Sequence, residues 1–118
     1  MFRVLVADDN KDFLDIIAIM LVKVGYDVIT AGDGVEAIDR FNGSCFDAIV
    51  TDLAMPGANG YELARHIHHT AGDVAPKVIC ITGSGWDVDR SCFDVVLEKP
   101  ISIKKLIECL RDFESRKK

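Results

Sequence analysis

Short apolar runs alternate with amphipathic stretches along the chain. Val4-Leu5-Val6-Ala7 is unbroken and reads as a strand buried on both faces. Phe13, Ile16, Ile17, Met20, Leu21 and Val24 recur at helical spacing, and Gly25 stands where such a helix stops. Val28-Ile29-Thr30 predicts a second strand. Asp33-Gly34 then opens a helix carrying Ala37, Ile38 and Phe41, closed by Asn42-Gly43. Ala48-Ile49-Val50-Thr51 forms strand three, ending at Asp52. Met55-Pro56-Gly57 makes a loop, and Leu63, Ala64 and Ile67 mark a helix that ends near Gly72. Pro76 opens strand four, Val78-Ile79-Cys80-Ile81, and Val95-Val96-Leu97 is strand five. The last helix starts around Ser102, an N-cap candidate, and turns Ile103, Leu106, Ile107, Leu110 and Phe113 inward.

Strands alternating with helices predict βαβ units and a parallel sheet covered on both faces, an α/β three-layer sandwich. Right-handed crossovers leave few topologies for five strands. The flavodoxin-like order 2-1-3-4-5 places the most continuous apolar runs, strands one, three and four, at the centre. Residues 1–118 are expected to form one domain, without repeat or linker. Between strands four and five, only Trp86 to Ser91 remains for a fourth helix, so that helix is expected to be short or irregular.

Net charge is −5, which argues against a nucleic-acid surface, and no run is apolar enough to span a bilayer. The start lacks the apolar core and cleavage site of a signal peptide, so a cytoplasmic location is expected. Cys45, Cys80, Cys92 and Cys109 form no Cys-x-x-Cys pair and are expected to be small buried hydrophobes.

In such a sheet, ligands bind beyond the carboxyl ends of the strands. Strand one ends in Asp8-Asp9, strand three in Asp52, strand four in Thr82, and strand five leads to Lys99-Pro100. Three carboxylates held together repel, and a hard divalent cation such as Mg²⁺ relieves the repulsion while leaving positions open for phosphate oxygens. Asp52 is then a candidate nucleophile towards phosphorus. Lys99 can pair with one phosphate oxygen and Thr82 can donate to another. Taken singly, these acids could be loop residues or caps; Asp9 or Asn10 could cap the first helix.

The set Asp8-Asp9, Thr51-Asp52-Leu53-Ala54-Met55-Pro56-Gly57-Ala58-Asn59-Gly60-Tyr61-Glu62-Leu63, Thr82-Gly83 and Lys99-Pro100 resembles the receiver (CheY-like) domains of bacterial two-component response regulators, across essentially the whole chain. The resemblance implies that Asp52 is the phosphoryl acceptor, charged by a histidine kinase or phosphotransfer protein. It implies Mg²⁺ held directly by Asp9, Asp52 and the Ala54 backbone carbonyl, with Asp8 reaching it through water. Thr82 becomes the switch hydroxyl, Gly83 leaves room for access, and Lys99 pairs with phosphate. The bond to Pro100 is expected to be cis. With no output domain after the last helix, the protein is expected to act by binding, catalysing only its own phosphorylation and dephosphorylation.

Two features depart from the family. Receivers usually carry Tyr or Phe three residues before the lysine, where this chain has Val96, a side chain that cannot swing a ring between buried and exposed states. Thr82-Gly83-Ser84-Gly85-Trp86 is similar to an atypical receiver subset with Thr-Gly-Tyr-Gly and a degraded fourth helix, which makes Trp86 a candidate for a rebuilt signalling face. Ala54 and Ser84 are small and suggest an open acceptor site.

The alternative to a working receiver is a phosphorylation-independent pseudo-receiver that acts as a protein-binding module. An aspartyl-phosphate phosphatase lacks both its acid pairing and room for a cap domain here. His66 and His69 share a helix face but lack a further ligand at metal-site spacing, and Gly83-Ser84-Gly85 lacks the third glycine of a dinucleotide loop.

Overall fold

The computed structural model of the protein describes residues 1–83 and 88–117. In chain order the elements are β1 (Arg3–Ala7), α1 (Lys11–Lys23), β2 (Asp27–Ala31), α2 (Gly34–Asn42), β3 (Ala48–Asp52), α3 (Gly60–Ala71), β4 (Lys77–Thr82), β5 (Val95–Glu98) and α4 (Ile103–Lys117). All strand pairs are parallel, in the order β2-β1-β3-β4-β5. This is the expected flavodoxin-like (CheY-like) architecture.

Period-2 alternation divides the core in two. Leu5, Ala7, Ile49, Val78 and Cys80 point to one face and pack with Ala37 and Phe41 of α2 and Leu63, Ala64 and Ile67 of α3. Val4, Val6, Val50, Ile79 and Ile81 point to the other and pack with Leu14, Ile17 and Leu21 of α1 and Leu106 and Leu110 of α4. The central strands are thus buried on both sides, which is why their sequences are continuous apolar runs.

Helix boundaries have local causes. The Asn10 side chain accepts from Phe13 N at 3.1 Å, Asp33 from Glu36 N at 2.7 Å, and Asn59 with Glu62 forms a reciprocal capping box. Of the two candidate caps for α1, Asn10 is the one used. Ser102 Oγ accepts from Lys105 N at 3.2 Å, as expected of a cap. Gly25, at φ +100°, ends α1 in the left-handed region.

Some expectations need correction. Of the apolar residues at helical spacing in α1, Ile17 and Leu21 are buried, but Ile16, Met20 and Val24 are exposed. Leu14, between those positions, is the third buried anchor. A helix on the flank of a sheet buries only one stripe, and α1 carries more apolar residues than that stripe holds. Cys80 is buried and Cys92 and Cys109 partly so, whereas Cys45 is exposed. A 3₁₀ turn at Gly72–Val74 follows α3 directly, and Pro76 precedes β4 rather than opening it. Between β4 and β5 the described residues contain one 3₁₀ turn, Arg90–Cys92. Among the described residues, the expected short helix is represented by that single turn near the end of its predicted range, while residues 84–87, with the reading placed on Trp86, lie outside the described residues.

Candidate acidic site at the strand ends

Parallel strands in this order bring the ends of β1, β3, β4 and β5 to one rim. Asp8 follows β1 directly, and its backbone N–H donates to Ala31 O at 3.1 Å, tying the loop to β2. Asp52 is the last residue of β3; Leu53 N donates to Ile81 O at 3.1 Å and holds that end beside β4. Gly60, the first residue of α3, donates from N to Leu53 O at 2.8 Å. A Cβ on Gly60 would meet the Asp52 carbonyl oxygen at 2.8 Å, so a residue without a side chain is needed to bring α3 this close to the end of β3.

Among the described residues, Asp8, Asp9 and Asp52 each offer a carboxylate oxygen within 4.8 Å of the others. Asp8 and Asp52 are buried, at 2% and 8% exposure, while Asp9 is exposed on the rim. Thr82, at the end of β4, is buried too. Lys99 N donates to Thr82 O at 2.7 Å, which carries the lysine back over the site, and the Lys99-Pro100 bond is cis as expected. Lys99 Nζ lies 3.5 Å from Asp52 Oδ2 and 3.8 Å from Asp8 Oδ2. Asp8, Asp9, Asp52, Thr82 and Lys99 thus occupy one rim. Ala54 is exposed in the loop two residues beyond Asp52.

Burial pushes the Asp52 carboxyl above its ordinary range, against the opposing pull of Lys99 and the Leu53 N–H at 2.9 Å. The Asp8 carboxyl is also raised, first by burial and further by the Asp52 charge, although Asn10 N donates to it at 2.8 Å. Two desolvated carboxylates under one lysine are under-neutralised. An all-oxygen donor set with excess negative charge fits a hard divalent cation such as Mg²⁺.

Two residues near this rim were read from sequence only as a cap candidate and a core position. Asn10 joins Asp8 to the start of α1, and the Phe13 ring lies under the Lys99 ammonium, with Nζ 5.2 Å from its centroid. An aromatic in the first turn of the helix that follows Asp8-Asp9 was the available signal. Val96 pairs with Cys80 in register and is half-buried against the α2–α3 face. Nearby, Tyr61 of α3 stacks on Phe93 with centroids 5.4 Å apart and accepts from Asp89 N at 2.9 Å. His66 bonds Asn42 at 2.7 Å and meets the Phe41 ring edge-on, while His68 and His69 are exposed, which agrees with a helix surface.

The fold and the rim define a doubly wound α/β protein with an acidic, lysine-bearing site at its strand ends. The chain belongs to the response regulator receiver domain family, whose profile matches residues 4–111. It is 35% identical over 126 residues to the virulence sensor protein BvgS of Bordetella bronchiseptica, covering 97% of this chain and 10% of BvgS. The chain therefore spans about a tenth of that relative. Among solved structures, the Francisella response regulator 1452 receiver domain superposes with a TM-score of 0.90 at 30% identity, covering 100% of both chains. Response regulator TrrA from Thermotoga maritima, solved in complex with Mg²⁺–BeF, gives 0.84 at 28% identity, covering 96% of this chain and 99% of that one. The chain is a receiver domain of the two-component signalling type.

Proposed function

We propose that this receiver takes a phosphoryl group onto Asp52 from a histidine kinase or histidine phosphotransfer protein in the cytoplasm, and acts through binding rather than through turnover of an external substrate. The observation that carries this reading is the under-neutralised Asp8–Asp9–Asp52 cluster with Lys99 reaching over it. In the transfer, an Asp52 carboxylate oxygen attacks phosphorus as the P–N bond of phosphohistidine breaks. The electron pair stays on the imidazole nitrogen, which takes a proton from solvent. Hydrolysis of the acyl phosphate by water restores the carboxylate and releases inorganic phosphate.

Asp9, Asp52 and the Ala54 carbonyl would hold Mg²⁺, with Asp8 behind them; the TrrA complex with Mg²⁺–BeF supports this assignment by likeness. The metal supplies charge neutralisation where the phosphoryl group arrives. Lys99 pairs with one phosphoryl oxygen and Thr82 Oγ donates to another. Among the described residues, Thr82 Oγ makes a long, 3.4 Å contact with Gly83 O, a bond that a phosphoryl oxygen would readily replace. Beryllofluoride tests the site: with Mg²⁺ it should bind and shift the amide resonances of Asp52, Thr82 and Lys99. Spectra that stay unchanged would favour the phosphate-independent binding module, the reading that Val96 in place of an aromatic supports.

A further inference from the structure

Lys99 is poorly fixed by its ion pairs. Both carboxylate contacts are long, the side chain is about one-third exposed, and a lysine stem carries considerable rotamer freedom. A third contact lies beneath it: the Phe13 ring, with the ammonium 5.2 Å from its centroid. The ring is itself held in place. Asp8 accepts from Asn10 N, Asn10 accepts from Phe13 N through its side chain, and the ring packs half-buried against the α1–α4 face of the sheet.

An aromatic face attracts an ammonium without accepting any of its three N–H bonds in the way a carboxylate does. The attraction also persists whatever charge the carboxylates carry.

We infer that Phe13 is a positioning residue for Lys99, holding the ammonium over the acceptor with its donors free for the oxygens of an incoming phosphoryl group. This rests on the proposed phosphoacceptor role of Asp52.

The test has two readouts. In the free protein, the Lys99 side-chain methylene protons should show an upfield ring-current shift that is lost in Phe13→Leu and kept in Phe13→Tyr. With Mg²⁺ and acetyl phosphate, Phe13→Leu should slow phosphorylation about two- to fivefold, the range expected for an exposed to partly desolvated cation–π contact. Replacing Phe13 with phenylalanines of increasing fluorination keeps the shape and drains the ring face, and the rate should fall stepwise. Packing alone would not give that series.

Rates equal to wild type across the fluorinated series would overturn the inference and leave the phosphoacceptor reading standing. Wild-type protein that gains no phosphoryl group from either acetyl phosphate or phosphoramidate would overturn the phosphoacceptor reading and this inference together.

Discussion

Replacing Asp52 by Asn should stabilise the metal-free protein, although it removes the proposed acceptor. Asp8 and Asp52 are buried, with carboxylate oxygens within 4.8 Å. At an effective dielectric of about 20, two unit charges at that distance repel by about 3.5 kcal/mol. Lys99, at 3.5 and 3.8 Å, offsets much of this, and the open rim screens more. A net gain of roughly 1 kcal/mol on neutralising Asp52 is then expected, or about 3–6 °C in Tm for a domain of this size. Both carboxyls are raised above their ordinary 3.8 by folding, so the native state binds more protons than the unfolded chain in the range just above that value. Wild-type stability without metal should therefore fall as pH rises through that range, and less steeply in Asp52→Asn. Mg²⁺ at ten times its Kd should return about 1.4 kcal/mol to the wild type by mass action, and less to the variant. Thermal unfolding followed by circular dichroism, with chelator and then with millimolar Mg²⁺, checks each arm. An Asp52→Asn protein that melts at or below wild type in chelator, with neither responding to Mg²⁺, would refute the reasoning.

Other perturbations report on the scaffold. Tyr61→Phe removes the acceptor for Asp89 N and should cost about 0.5–1.5 kcal/mol in chemical denaturation, with faster hydrogen exchange at Asp89; an unchanged amide would contradict the contact. Gly34→Ala places a Cβ 1.8 Å from the Ala58 carbonyl oxygen and should cost roughly 1–3 kcal/mol as α2 moves away; a neutral effect on Tm would show that the loop yields freely. Burial pushes the Cys80 thiol up to about 12. In native protein near pH 8, a thiol reagent should therefore label exposed Cys45 and spare Cys80 until unfolding, and native-state labelling of Cys80 would contradict its burial.

The sheet was legible because its central strands are buried on both faces, so Val4–Ala7, Ala48–Thr51 and Val78–Ile81 stand out as unbroken runs. Their order followed from which runs were most apolar. The rim was legible because strand ends are fixed once strands are: Asp8, Asp52 and Thr82 come together by topology alone. What escaped was rotational. Helical spacing admitted Ile16 and Met20 to the core of α1 as readily as Ile17, and only the packed sheet selects Leu14, Ile17 and Leu21. The Phe13–Lys99 contact joins residues far apart in sequence and depends on where a flexible lysine lands, which no local pattern encodes. The 3₁₀ turns at Gly72–Val74 and Arg90–Cys92 are too short to carry a period.

The central claim is that Asp52 accepts phosphate. Intact-mass spectrometry after incubation with Mg²⁺ and acetyl phosphate, alongside Asp52→Asn and a metal-free control, tests it most directly. The account predicts the mass of one added phosphoryl group on wild type only, lost again on standing as the acyl phosphate hydrolyses. An unmodified wild-type mass with both acetyl phosphate and phosphoramidate as donors, or a phosphoryl group retained in Asp52→Asn, would contradict it.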